Sequence, residues 1–256
     1  MSTKRVLTTK SQAKLINPIP RADWFLAHKQ IKLIKKLGEG AFGEVHKANL
    51  TTKSGTKEVA VKIGHNVGLD RLQREEFMKE ARIMKQYNHP NIVCLLGVAA
   101  QKEPLMLVIE LAPGGSVIDY LQKNQGNVTP KQKTKFSLEA AMGMEYLSSK
   151  NCIHRDLAAR NCLLGQKGEV KISDFGLSIG GENFYKMTTN RKVPIRWLAP
   201  ETMTHKFYTL ATDVWSYGIM LWEFFADGNE PYPGLTSMEV MRKVGFEVKL
   251  KLNKTC

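Results

Sequence analysis

Two aspartates and an asparagine form the most specific pattern in the chain. The loop His154-Arg155-Asp156-Leu157-Ala158-Ala159-Arg160-Asn161 is followed, 18 residues after Asp156, by Asp174-Phe175-Gly176. A carboxylate such as Asp156 can orient an attacking hydroxyl and accept its proton. Asn161 and Asp174 offer the hard oxygen ligands that Mg²⁺ takes, and a cation so held neutralises charge on a transferring phosphoryl group. Asp-Phe-Gly alone would be no more than a turn. Its weight comes from the loop before it and from the lysine and glutamate described next.

Lys62, in Val59-Ala60-Val61-Lys62, lies on a β-type run whose alternation puts Ala60 and Lys62 on one face. A lone strand lysine is usually just solvated. Glu80 follows 18 residues later on a helical pattern, and a Lys–Glu pair of this kind holds the ammonium against α- and β-phosphates. Glu75 and Glu76 are nearby alternatives; the apolar pattern around Phe77 and Ala81 favours Glu80. Upstream, Gly38-Glu39-Gly40-Ala41-Phe42-Gly43-Glu44-Val45 is a glycine loop whose bare backbone lets N–H groups approach phosphate oxygens. By itself it is weak, since dinucleotide-binding folds share the spacing. That reading requires a helix directly after the loop, and a β-type run follows instead.

The elements that must position these groups read as follows. From Ile31 to about Glu110, the runs IKLIKKLG, GEVHKANL, EVAVKIG and LMLVIEL are β-type, broken by one helix with Phe77, Ala81 and Met84 on a shared face. After Gly114-Gly115 the period turns helical, with a stripe of Phe136, Ala140, Met144 and Leu147, and later helical runs VWSYGIMLWEFFA and SMEVMRKV. The expectation is an α+β fold of two lobes: a small, mainly β part at about 31–112 and a larger, mainly helical part at about 113–256. Residues 1–30, polar and basic with Pro18 and Pro20, read as a linker or arm.

Composition excludes more than it names. With 38 Lys and Arg against 24 Asp and Glu, the net charge of +14 would suit a polyanionic partner, but the basic residues are scattered and no aromatic-interleaved strip accompanies them, so no specific nucleic acid is expected. Cys94, Cys152, Cys162 and Cys256 form no C-x-x-C pair and read as reduced thiols. The start MSTKRVLTTK lacks an apolar targeting core and has Ser2 where myristoylation needs glycine. The most apolar stretch, Val214 to Ala226, includes Ser216 and Glu223, falls short of the roughly 20 residues that span a bilayer, and reads as a buried helix.

Taken together, Ile31 to Val244 resembles the eukaryotic protein kinases. Leu-Ala-Ala-Arg-Asn after Asp156 is similar to the tyrosine-specific form: serine/threonine enzymes place a lysine where Ala158 stands, and Arg160 looks like the residue that replaces it. The segment Lys192 to Glu201 agrees, its Pro194 region supporting a flat phenol ring in that family. The resemblance implies transfer of the ATP γ-phosphoryl group to tyrosine hydroxyls of protein substrates, with Mg²⁺ or Mn²⁺, in a cytoplasmic setting reached by membranes only through other domains or partners. It implies that Leu37, Val45, Ala60 and Leu163 sandwich the adenine, that backbone groups of Glu110 and Ala112 bond its edge, and that Ile109 is the gatekeeper; ordinary core packing explains the apolar members equally well. It also makes Tyr185 a phosphorylation site whose added charge recruits Arg155 and a neighbour such as Arg191. Asp213 looks like a carboxylate bracing the catalytic loop, or else a helix cap. Pro18 to His28, Ala112 to Ser116 and Tyr185-Lys186-Met187 fit the Fes/Fer group of cytoplasmic tyrosine kinases.

The chain departs from that pattern at its end. Past Ser237 to Val244 the family continues with two further helices, whereas here 245–256 follows and the chain stops, roughly 30 to 45 residues early by that comparison. Glu201 is then expected to be a buried carboxylate without its arginine. The alternative reading is an impaired kinase serving as an ATP- or partner-binding regulatory module.

Overall fold

The computed structural model describes residues 24–40, 43–64, 71–187 and 193–244. Strands β1 (Ile31–Gly40), β2 (Gly43–Thr52) and β3 (Gly55–Ile63) form a meander, after which α1 (Arg71–Met84) leads to β4 (Leu95–Ala99) and β5 (Met106–Glu110). The five strands make one antiparallel sheet in the order β1-β2-β3-β5-β4. Alternation on β3 is sharp: Val59 and Val61 enter a small core with Ala48, Leu50, Ala99, Met106 and Val108, so Ala60 and Lys62 must face the other way. On α1, Phe77, Ala81 and Met84 are buried together with Glu80, while Glu75 and Glu76 are exposed.

A strap precedes β1. Leu26 N–H donates to Val98 O (2.8 Å) and Val98 N–H to Trp24 O (2.8 Å), laying Trp24–Leu26 along β4. Trp24 packs against the main core, so side-chain packing begins before the first expected strand.

The helical part follows: α2 (Val117–Lys123), α3 (Pro130–Ser149), strands β6 (Cys162–Leu164), β7 (Val170–Ile172) and β8 (Phe184–Lys186), then α4 (Pro200–His205), β9 (Phe207–Thr209), α5 (Leu210–Phe225) and α6 (Ser237–Lys243). Thr129 caps α3 by accepting from Gln132 N–H, with Pro130 in the first turn. The predicted α3 stripe is buried at Phe136, Ala140 and Leu147 and partly buried at Met144. The strands of the pairs β6–β7 and β8–β9 are three residues each and carry too few side chains to show a period, so the sequence gives no sign of them. One core joins Phe77 and Ala81 of α1 to Phe136 and Leu147 of α3 and Phe224 of α5, each fully buried large side chain contributing about 1.5–3 kcal/mol.

Helix α5 is not the uniformly buried helix its apolarity implies. Val214 is 69% exposed, while Asp213, Ser216 and Glu223 are buried. Among the described residues no helix is long and apolar enough to cross a membrane. Glu201 lies in the first turn of α4, partly exposed and not buried. Residues 245–256, on which the expectation of a shortened helical part turns, lie outside the described residues.

Candidate active site

Lys62 and Glu80 are brought together by the register of β3 and the inner face of α1. Lys62 Nζ donates to Glu80 Oε1 (2.8 Å) and Oε2 (3.0 Å), and also to Asp174 Oδ1 (3.2 Å), 112 residues on. Burial opposes the Lys62 charge, but Glu80 and Asp174 outweigh it and hold the ammonium above its usual range. Burial likewise works against ionised Asp174, yet Lys62 outweighs it and keeps the carboxyl below its ordinary value. Asp174 has φ +62°, a left-handed conformation that aspartate tolerates better than most residues, and its Oδ1 also accepts from Gly176 N–H (3.3 Å).

The loop bearing Asp156 is held from below. Asp213 on α5 accepts from His154 N–H (2.6 Å) and Arg155 N–H (3.0 Å), so it is a brace and not a cap of its own helix. Ser178 Oγ donates to His154 O (3.1 Å), and Arg155 sits at φ +70°, a strained turn that these bonds fix. Asp156 pairs with Arg160, and burial pushes its carboxyl up, with Arg160 offsetting part of the effect. Asn161 Nδ2 donates to Asp156 O (2.7 Å), while the Asn161 carbonyl accepts from Ser173 N–H and Oγ (both 2.9 Å). That tie sets Asn161 beside Asp174, the next residue along. The donors suit a hard divalent cation: an ionised carboxylate whose side chain is 32% exposed, and the amide oxygen of a buried asparagine. Among the described residues no cluster of three or more His, Cys, Asp or Glu could hold a metal ion.

The glycine loop is a β hairpin, with Gly38 opposite Val45, Glu39 opposite Glu44 and Gly40 opposite Gly43. A strand follows it, so the helix required for a dinucleotide turn is absent there. Ala41 and Phe42 lie outside the described residues. Gly43 has φ +140°, and a Cβ there would come within 1.8 Å of Ile63 O, one residue beyond Lys62. Glu39 pairs with Lys36 (2.6 Å) on the exposed side.

Of the residues expected around an adenine, Ala60 pairs with Ile109 across β3 and β5 and is 6% exposed, whereas Leu37 is 47% exposed. Val45 and Leu163 are partly buried, on β2 and on β6 from the helical part. Glu110 N–H already donates to Cys94 O (3.0 Å), so its carbonyl is the group left for a ligand edge; Ala112 O accepts from Gly115 N–H (3.3 Å), leaving its N–H. A cavity of about 350 Å³ between α3 and α5, lined by Met144, Cys152, Leu210 and Tyr217 with Glu145 and Asp213, does not include Lys62, Glu80, Asp156 or Asp174.

The Tyr185 ring stands over the Arg155 guanidinium at 4.6 Å, with Tyr208 at 4.2 Å on the same cation, and β8 pairs Tyr185 with Tyr208. Arg191 lies outside the described residues. Two members of the site were missed in the sequence. Glu223, wholly buried on α5, accepts from Ala159 N–H and Trp197 Nε1–H (both 2.9 Å); burial raises its carboxyl to about 7, those two donors opposing. Trp197 in turn lies 4.4 Å under the Arg160 guanidinium. A signal was present: Asp213, Ser216 and Glu223 recur at helical spacing in an otherwise apolar run.

The model of the protein tyrosine and serine/threonine kinase family matches residues 31–256. Over 244 residues, 95% of this chain, it is 48% identical to Fer-related kinase 1 of Caenorhabditis elegans, covering 61% of that protein. Over the whole chain it is 44% identical to tyrosine-protein kinase Fer of Mus musculus, of which it spans 31%. It is 40% identical to the tyrosine-protein kinase transforming protein Fps of avian sarcoma virus (strain PRCII), spanning 48% of it. The chain thus spans less than two thirds of the length of each of these relatives. With the fold, the lysine–glutamate–aspartate contact and the family match in agreement, the chain belongs to the protein tyrosine and serine/threonine kinase family.

Proposed function

We propose that this chain transfers the γ-phosphoryl group of ATP to tyrosine hydroxyls of protein substrates in intracellular signalling. The observation that carries the reading is the three-way contact of Lys62 with Glu80 and Asp174, set next to a loop that presents Asp156 and Asn161. Lys62, held charged, binds the α- and β-phosphates while Glu80 fixes its direction. The glycine hairpin of Gly38, Gly40 and Gly43 covers the phosphates, and Ala60, Val45, Leu163 and Leu37 face the base, with Glu110 O and Ala112 N–H at its edge. Asn161 and Asp174 would hold a divalent cation, which supplies charge neutralisation on the phosphoryl oxygens.

Asp156 orients the substrate hydroxyl and takes its proton, and its raised carboxyl suits that duty. Arg160 reaches Asp156 from four residues on, in place of a lysine at position 158, where a small buried alanine stands. In this reading the turn at Pro194 supports the planar phenol of the substrate. The names of the Fer and Fps relatives support tyrosine as the acceptor. Phosphorylation of Tyr185 would convert its ring contact with Arg155 into a charge pair, ordering β8 against β9. We place the activity in the cytoplasm, with membrane association through other domains or partners.

The test is phosphate transfer from Mg-ATP to poly(Glu,Tyr). Asp156→Asn is expected to lower kcat by about 10²- to 10⁴-fold with nucleotide binding retained. Equal rates in the two proteins would remove Asp156, and with it this reading of the site.

A further inference from the structure

Glu223 is the least expected residue in the molecule. It is 0% exposed in a helix whose neighbours Met220 and Phe224 are equally buried apolar side chains. A carboxyl placed there only to fill volume would be outperformed by leucine or methionine, because an apolar side chain needs no hydrogen bonds to be buried. Its bonds point one way. Oε2 accepts from the backbone N–H of Ala159, the first residue of the 3₁₀ turn Ala159–Asn161, and from the indole N–H of Trp197, the last residue of the 3₁₀ turn Ile195–Trp197. Oε1 has no partner among the described residues, so nothing is gained on the core side.

Each of those turns carries a site group onward. Trp197 is pinned at a second point, since Ser216 Oγ, also on α5, donates to Trp197 O (2.8 Å). Arg196 beside it donates to Pro231 O (2.8 Å) and Leu235 O (2.6 Å), so the whole turn is fixed to the chain after α5. Only the rotation of the indole remains to be set, and the Glu223 bond sets it. The indole face then supports the Arg160 guanidinium at 4.4 Å, and Arg160 donates to Asp156 Oδ1.

We propose that Glu223 is a positioning residue for phosphoryl transfer: by holding Trp197 and Ala159 together it fixes Arg160, and through Arg160 the direction in which the Asp156 carboxylate meets the substrate hydroxyl. The proposal rests on the phosphotransferase reading above. It joins the turn next to Pro194 to the catalytic loop through one carboxylate, so that the support for the incoming side chain and the group that takes its proton move as a unit. The elevated carboxyl agrees with a side chain kept in place for its contacts at a cost in burial.

The experiment compares wild type with Glu223→Gln, Glu223→Leu and Trp197→Phe, reading kcat and KM for ATP with poly(Glu,Tyr), and the ¹⁵N–¹H resonances of Trp197 Nε1 and Arg160 Nε. Leucine removes the acceptor at similar volume, and is expected to lower kcat at least tenfold while KM for ATP stays within about threefold. Glutamine keeps an oxygen that both N–H groups can reach, and should recover most of that loss. The Trp197 and Arg160 resonances should both move in Glu223→Leu and stay near their wild-type positions in Glu223→Gln. In Trp197→Phe, which keeps an aromatic face and deletes the donor, the Arg160 resonance should move and the further loss from Glu223→Leu should shrink. An unchanged kcat in Glu223→Leu, or glutamine no better than leucine, overturns the proposal. So does a Trp197 shift without an Arg160 shift. If Glu223→Leu does not fold, Trp197→Phe decides, since it deletes the donor to Glu223 and leaves the carboxylate in place: an unmoved Arg160 resonance and an unchanged kcat there overturn the proposal. If wild type transfers no phosphate, the phosphotransferase reading fails by itself, and the two resonances still report whether the chain of contacts exists.

Discussion

At Lys62 one positive charge meets two negative ones. Burial raises the Glu80 carboxyl, with Lys62 opposing, whereas Asp174 is the more exposed of the two and is held low, so negative charge is presented at Asp174. The sign of the pH response follows. Asp174 titrates below its ordinary 3.8, so the stability it lends is present above that pH and is lost as pH falls through its lower folded value. Glu223 behaves oppositely. Its carboxyl goes from an ordinary 4.5 to about 7, so its contribution is full below 4.5 and disappears as pH rises through 7. At about 1.4 kcal/mol per unit, the free energy of unfolding of wild type relative to Glu223→Gln should fall by up to about 3 kcal/mol between pH 4.5 and 8. Urea unfolding at a series of pH values measures this; a flat difference would mean that Glu223 is ionised throughout.

Elements matter here by what they forbid. Gly43 ends the glycine hairpin at φ +140°, with Ile63 O occupying the space of a Cβ. Gly43→Ala must push β2 off β3 one residue from Lys62, at a cost of about 1–3 kcal/mol for the strained backbone alone. The expected outcome is a tenfold or greater loss of ATP affinity by calorimetric titration, accompanied by a lower melting temperature; unchanged affinity would place the phosphates elsewhere. The strap works by the same exclusion, since a Cβ on Gly97 would meet Trp24 O at 2.6 Å. Such constraints explain what was legible in the sequence. The alternation of Val59, Ala60, Val61 and Lys62 and the face shared by Phe77, Glu80 and Ala81 are local periodicities, and both elements take the form they imply. Trp24 and Glu223 depend on partners 73 or 64 residues away, Gly97 and Ala159, and no local period encodes that. Glu223 entered the sequence reading only as a charge unsuited to a membrane, because its burial is decided by the loop above it.

The whole molecule brings the site together from two parts that share one core. Lys62 and Glu80 belong to the sheet and its helix; Asp156, Asn161 and Asp174 belong to the helical part, and Lys62–Asp174 at 3.2 Å is one direct polar tie between them, with Lys171–Glu110 at 3.2 Å another. The hydrophobic cluster runs without a break from Phe77 through Leu95 to Phe136 and Phe224, so the two parts should not unfold separately. A nucleotide with its cation touches both, and binding only the folded state stabilises it by RT ln(1 + [L]/Kd), about 2.7 kcal/mol at a hundredfold excess over Kd. For a chain of this size that is a rise of roughly 5–10 °C in melting temperature. Mg-ATP should therefore move one cooperative transition upward as a whole. ATP with EDTA should move it less, because the negative Asp174 carboxylate then faces bare phosphate. Asp174→Ala removes both the metal ligand and the tie to Lys62, so its response to Mg-ATP should shrink toward its response to ATP with EDTA. Differential scanning calorimetry reads all three, and two separable transitions of which only one responds to Mg-ATP would show that the parts are independent and the site is not shared between them.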